Sequence, residues 1–205
     1  MPRNVEVKAK VHNWDHTRKE CEALSKSAGE TLAQRDVFFN TEHGRLKLRD
    51  FQFVIVAAGC SRGNITALLL WRHGFDPGKS TSPDGRGQLI YYERPDLQGP
   101  KLSNYSISST SDPHGLEEVL TQALGVRGSV VKQRLLFLVG QTRIHLDRVQ
   151  DLGDFLELEV VLTDSQTIED GNQIADGLMK SLGIACEDLL TCAYIDLLQK
   201  QKEGQ

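Results

Sequence analysis

Apolar and charged residues alternate with a period of two in Val5-Glu6-Val7-Lys8-Ala9-Lys10-Val11, so Glu6, Lys8 and Lys10 share one face of a predicted strand. Far downstream, Phe155-Leu156-Glu157-Leu158-Glu159-Val160 does the same with two carboxylates, and Lys47/Arg49, Lys132/Arg134 and Arg143/Asp147 repeat the spacing in between. Strands are predicted over 4–11, 32–39, 44–50, 88–94, 102–108, 129–139, 141–148 and 154–162. Helices punctuate them. Asp15 is placed to cap a helix that reaches Ser27 and is closed by Gly29, and Leu116 to Leu124 is followed by Gly125. Ser165 or Thr167 opens a third helix that carries Ile168, Ile174, Ala175, Leu178 and Leu182 up to Gly183, and a last helix is predicted over 187–200. Helices set between runs of mostly adjacent strands indicate an α+β fold on an antiparallel sheet or barrel, not alternating βαβ units. Charges kept to one side of several strands belong either to a solvated sheet face or to the inside of a closed barrel whose apolar outside is covered by helices.

One stretch breaks the pattern. Residues 51–86 stand where a hairpin connection takes about two to five residues. The stretch begins apolar, contains Ala67-Leu68-Leu69-Leu70-Trp71 and turns rich in Gly, Pro and Ser from Gly74 to Gly87, so it reads as an insertion within one domain spanning 1–205. Its Gly74-Phe75-Asp76-Pro77-Gly78-Lys79-Ser80 superficially matches a phosphate-binding P-loop. It has one residue too few between the glycines, a proline before the second and no helical pattern after it, so it reads as a turn-rich loop.

Composition narrows the function. With 205 residues, 39% hydrophobic and 25% charged, the chain has the make-up of one ordinary globular domain. A net charge of -4 argues against a nucleic-acid binder that relies on a basic surface. Four cysteines without a CxxC pair, and an N-terminus unlike a signal peptide, point to a reducing, cytoplasmic setting. The apolar run Phe51 to Ala58 is too short to span a bilayer, so no membrane partner is expected.

Against that negative total, the aligned set Glu6, Lys8, Lys10, Lys47, Arg49, Arg94, Lys132, Arg134, Arg143, Asp147, Glu157 and Glu159 holds eight cations and four anions. Gathering it in one lumen costs self-repulsion and desolvation unless something anionic sits inside, and a polyphosphate with a divalent metal matches both halves. Arg and Lys grip phosphoryl oxygens, and carboxylates hold Mg²⁺ or Mn²⁺. On a solvated face the same residues would form ion pairs worth little each. His145 shares the parity of Arg143 and Asp147, as a proton shuttle or as a simple hydrogen-bond partner. His12 and His16 read as surface residues, and Tyr194 and Asp196 can reach a tunnel entrance or serve helix packing.

These residues resemble a family. Asn4-Val5-Glu6-Val7-Lys8-Ala9-Lys10 is similar to the E-x-E-x-K signature of the CYTH superfamily, the triphosphate tunnel metalloenzymes, which includes class IV adenylate cyclases, thiamine triphosphatases and inorganic triphosphatases. Gly44-Arg45-Leu46-Lys47-Leu48-Arg49, Leu89-Ile90-Tyr91-Tyr92-Glu93-Arg94-Pro95, Lys132-Gln133-Arg134 and Arg143-Ile144-His145-Leu146-Asp147 resemble the rest of the pattern in the same order. The block Leu152 to Glu159 is closest to the class IV cyclase branch. The resemblance implies an eight-stranded antiparallel β-barrel, a triphosphate tunnel with flanking helices, that needs Mg²⁺ or Mn²⁺. Carried over by position, Glu6, Glu157 and Glu159 correspond to metal carboxylates and, with Asp147, to the catalytic acids. Lys8, Lys10, Lys47, Arg49, Arg94, Lys132, Arg134 and Arg143 correspond to the substrate-binding bases, although the family often places the base of Arg94 one position earlier, where Glu93 stands. Asn4 replaces the first Glu of the signature with a neutral donor. The expected activity is hydrolysis of inorganic, nucleoside or thiamine triphosphate by a monomer or homodimer. The alternatives are cyclisation of ATP to cyclic AMP and pyrophosphate, and polyphosphate or nucleotide binding without turnover.

Overall fold

The computed structural model describes residues 3–56, 86–97 and 99–204, with the backbone alone over 52–56. Its strands are β1 (Arg3–Lys10), β2 (Glu30–Phe39), β3 (Arg45–Val56), β4 (Gly87–Glu93), β5 (Lys101–Thr110), β6 (Val126–Val139), β7 (Thr142–Val149) and β8 (Gly153–Val161). They close into an antiparallel barrel in the order β1-β5-β4-β3-β2-β6-β7-β8, the eight-stranded barrel that the family resemblance implies. Closure is made by β1 against β8, in a register that sets Glu6 opposite Glu159 and Lys8 opposite Glu157. The period-two pattern then has one physical meaning all round: Val5, Val7, Ile144, Leu146, Leu156 and Leu158 point outward and are fully buried, while their charged neighbours point inward.

Helices cover the apolar outside. The helices α1 (Trp14–Ser25) and α3 (Ile168–Ser181) bring Cys21, Ala175 and Met179 into one cluster with the outer residues of β1, β6, β7 and β8. The helix α2 (Pro113–Leu124) lays Leu116 and Leu120 on Val37, Phe39 and Leu48 and ends at Gly125, whose φ of +73° suits a residue without a Cβ. α3 sits so close to the barrel that a Cβ at Gly171 would meet Val5 Cγ2 at 2.6 Å and Leu162 Cδ2 at 2.8 Å. Gly171→Ala is therefore expected to lower stability by about 1–3 kcal/mol through overpacking. An unchanged denaturant midpoint would mean that α3 rides farther from β1.

Three predicted boundaries are corrected. Asn13, not Asp15, caps α1: its backbone is extended and its side chain accepts from the His16 N–H at 3.1 Å, while Asp15 lies inside the first turn. The helix predicted over 187–200 is a short 3₁₀ turn (Cys186–Asp188), a non-helical stretch, and then α4 (Tyr194–Glu203). The end of β1 competes for that backbone: Leu190 N–H donates to the Lys8 carbonyl at 2.8 Å, and Leu189 bridges to Ala9. Finally, β3 runs on to Val56, paired with β2 up to Glu30, so the first residues of the stretch read as an insertion are strand. Residues 57–85, including the P-loop-like 74–80, lie outside the described residues. Among the described residues no helix is long and apolar enough to cross a membrane.

Candidate active site

The barrel encloses a cavity of about 880 Å³, in the range of ligand pockets and lined by inward residues of all eight strands. Of the predicted site residues, Glu6, Lys8, Lys47, Arg49, Arg94, Lys132, Arg134, Arg143, Glu157 and Glu159 line it. Two do not. Lys10 has the right parity but ends β1 exposed, beyond the lining. Asp147 points inward, is wholly buried, and stands behind Arg134 instead of on the cavity surface. Arg94 continues the inward row of Ile90 and Tyr92, whereas Glu93 is exposed and bonds the Tyr91 hydroxyl.

The lining groups hold one another in two clusters. Asp36 on β2 is 1% exposed and accepts from Arg49 Nε and Nη2 at 2.7 and 2.9 Å, from Lys47 at 3.2 Å and from Lys132 at 3.5 Å. Burial opposes its ionisation, but Arg49, Lys47 and Lys132 together hold it well below the ordinary carboxylate range. Adjoining it on β6 and β7, with Lys132 3.9 Å from Asp147, Arg134 donates to both oxygens of Asp147 at 2.6 Å and to Glu157 Oε2 at 2.8 Å. Burial again opposes the Asp147 charge, and Arg134 and Lys132 outweigh it, drawing the group down to about 2. Lys8 joins the second cluster, bonding Glu157 Oε1 at 2.8 Å and Glu6 at 3.3 Å. Glu6 also accepts from Arg94. Burial raises Glu6, with the charge of Glu157 adding to it, while Lys8 holds Glu157 low against its own burial. Of that carboxylate pair, Glu6 is therefore the one that takes up a proton first as pH falls.

One end of the cavity is finished by the C-terminal segment. The Tyr194 hydroxyl donates to Asp147 Oδ2 at 3.1 Å, and the Lys8 ammonium lies 4.4 Å from the centre of its ring. Lys101 anchors the approach to α4, donating to the carbonyls of Leu190 and Thr191 at 2.8 and 2.9 Å. Asp196 accepts from the Ala193 N–H at 2.8 Å, from Arg127 at 2.6 Å and from Arg45 at 3.0 Å, so it fixes α4 in place. His12 pairs with Asp188 at 2.6 Å on the surface, apart from any cluster with His16.

Among the described residues, the donors that converge for a cation are His145, Glu157 and Glu159, whose ligand atoms all lie within 4.8 Å of one another. Glu157 and Glu159 were expected there, but Glu6 is not in that group. The Asn4 side-chain oxygen, which stands where the signature has a Glu, is buried in the lining and has no hydrogen-bond partner. Oxygen donors in a buried, partly unsatisfied pocket fit a divalent ion. Asp36 escaped the sequence reading altogether. The inward row of β2 reads Glu30-Leu32-Gln34-Asp36-Phe38, with no alternating charge to mark it.

The CYTH domain family model matches residues 2–194. The adenylate cyclase CyaB of Aeromonas hydrophila is 24% identical over 132 residues, 60% of this chain and 69% of that protein. Among solved structures, the PH1012 protein of Pyrococcus horikoshii OT3 superposes with a TM-score of 0.70 at 23% identity, covering 95% of this chain and 98% of the other. A putative adenylate cyclase of Vibrio parahaemolyticus gives 0.68 at 18% identity, covering 96% and 97%. The putative adenylyl cyclase HpAC1 of Hippeastrum, described as having a dominant triphosphatase activity, gives 0.59 at 14% identity, covering 98% and 96%. These structures share the fold, and the family match runs from β1 through the tyrosine that finishes the cavity. With the barrel, the lumen charges and that match in agreement, the chain belongs to the CYTH domain family.

Proposed function

We propose that this chain is a Mg²⁺- or Mn²⁺-dependent phosphohydrolase that takes a triphosphate into the lumen. The observation that supports it is the cavity inside the barrel, in which ammonium and guanidinium groups from β1, β3, β6 and β7 share the space with Glu157 and Glu159. Arg49 and Arg134, whose Nε–Nη2 edges are held by Asp36 and Asp147, bring fixed guanidinium charge to phosphoryl oxygens, and Lys8, Lys47 and Lys132 add point charges. As an anhydride bond breaks, negative charge moves to the leaving phosphate, and fixed cations lining the barrel stabilise that charge without reorganising. A divalent cation held by Glu157 and Glu159 would polarise the phosphoryl oxygen. Water as nucleophile gives hydrolysis, and a ribose hydroxyl gives cyclisation. The second reading, a class IV cyclase, is supported by the likeness to CyaB and by the Leu152 to Glu159 block.

The test is a panel of triphosphates with each metal, followed for orthophosphate, pyrophosphate and cyclic AMP. Orthophosphate release supports hydrolysis, whereas cyclic AMP with pyrophosphate from ATP selects the cyclase. Tight triphosphate binding with no turnover in either metal overturns both and leaves a binding module.

Lys132 supplies a pH signature. Burial and the neighbouring Arg134 draw it down to about 7, so in the free protein it loses its proton near neutrality. A polyanion favours the protonated form. Triphosphate binding at pH 8 is therefore expected to take up a proton, and affinity is expected to fall as pH rises from 6 to 8. Calorimetry in buffers of different ionisation heat measures the uptake, and Lys132→Met should abolish it; uptake that persists in the variant assigns it elsewhere. The linkage to folding has the opposite sign. Above about 7, where the unfolded lysine still holds its proton, stability contributed by this group rises with pH until the ordinary lysine value is passed.

A further inference from the structure

We propose that His145 is a direct ligand of the lumen cation, making the site a mixed nitrogen and oxygen set with Glu157 and Glu159 that selects Mn²⁺ over Mg²⁺. The inference deepens the proposed function, because it concerns the metal of that same site.

The imidazole, like the side chains of Asn4 and Gln34, is a lumen group with a buried polar atom left without a hydrogen-bond partner. His145 is 4% exposed, it lines the cavity, and its Nδ1 has no hydrogen-bond partner. A buried ring nitrogen without a partner costs about 1–3 kcal/mol, so an orphan at this position calls for an occupant. The same Nδ1 lies 3.7 Å from Glu157 Oε2 and 3.7 Å from Glu159 Oε1, too far for a hydrogen bond to either. Donor atoms bound at about 2.1 Å to a common ion sit roughly 3 to 4 Å apart, which is the spacing of Nδ1 from each carboxylate oxygen, and all three residues offer donor atoms within 4.8 Å of one another.

The strands enforce this arrangement. In the β7–β8 register His145 lies opposite Glu157 and Arg143 opposite Glu159, so the ring rises between the two carboxylates. Arg143 holds Glu159 by Oε2 at 2.8 Å, which leaves Oε1 turned toward the imidazole. Glu6, engaged by Lys8 and Arg94, lies outside the converging group, whereas Glu157 lies in it although Lys8 holds its Oε1 and Arg134 its Oε2, each at 2.8 Å. Position 4 offers a neutral amide where the signature has a second acid. The donors that converge are thus one nitrogen and two carboxylates. Mg²⁺ prefers oxygen donors and retains its water, whereas Mn²⁺ lies on the series of divalent metals that accept imidazole nitrogen more readily.

The experiment uses Mn²⁺ alone with the whole protein, without substrate. Electron spin-echo envelope modulation at stoichiometric Mn²⁺ should show a directly bonded ¹⁴N. The signal should vanish in His145→Gln, whose Mn²⁺ affinity should fall about 10- to 100-fold while Mg²⁺ affinity changes far less. No coupled nitrogen in the unmodified chain, or a coupling that persists in His145→Gln, overturns the assignment. The chain has six histidines, so a second variant with the other five changed to glutamine retains only the His145 imidazole. Should His145→Gln fail to fold, that variant decides: a coupled nitrogen supports the ligand and its absence overturns it. Phosphate release is assayed separately. A nitrogen-coupled ion without turnover refutes the hydrolase and keeps the ligand, and turnover without a coupled nitrogen does the reverse.

Discussion

Glu159→Gln is expected to lower metal-dependent phosphate release at least about 100-fold, the scale seen when one group that stabilises transition-state charge is removed. The change keeps the volume of the side chain and removes its charge. Its hydrogen-bonded partner is Arg143, at 2.8 Å, whose side chain is 36% exposed and can turn to water, so the fold should be retained with a melting temperature close to that of the unmodified protein. As a proposed ligand of the ion, Glu159 should on substitution also raise the metal concentration for half-maximal activity. A folded variant with unchanged turnover and metal dependence would show that the β8 carboxylates do not serve the ion.

The second large effect is on stability. Arg134→Met should destabilise the protein by about 3–5 kcal/mol, because it leaves Asp147 and Glu157 buried without their shared guanidinium. In the intact protein the Asp147 charge contributes stability that is present above the ordinary aspartate value and is lost as pH falls through about 2. Without Arg134, Asp147 should take up its proton at higher pH. The gap between variant and parent should therefore narrow between pH 7 and pH 4 in urea denaturation. Removing both partners in Arg134→Met/Asp147→Leu should recover part of the loss, since an uncompensated ion costs more than an absent pair. A loss below about 1 kcal/mol at pH 7 would mean that water reaches this cluster and screens it.

The sequence showed the strands well because each needed only local alternation. Parity alone put the charges of β1, β7 and β8 on one face and the family resemblance turned that face inward, and Arg94 was recoverable by counting two residues on from Tyr92 even though the family pattern pointed to its neighbour. Parity does not say where a strand ends. Lys10 shares the face of Glu6 and Lys8 but sits at the last residue of β1, where the wall stops. Nor does parity reveal depth: Asp147 faces inward yet is screened by Arg134. Asp36 lies opposite Arg49 across the β2–β3 ladder, and that relation exists only once the pairing is known. Tyr194 was harder still, because it belongs to a helix outside the wall and enters through the end. Local periodicity carries the wall; the groups that tune its charge depend on contacts between residues distant in sequence.

The seam between β1 and β8 also fixes the timing of biosynthesis. Lys8 meets Glu157 across 149 positions, so the N-terminal strand leaves the ribosome long before its partner has been made. Until then its hydrogen-bonding edge and the apolar Val5 and Val7 lack the neighbours they have in the finished barrel. Nascent chains halted shortly before residue 153 should consequently be far more open to protease and chaperone than the released polypeptide, and the lumen should become binding-competent only after translation has passed the final strand.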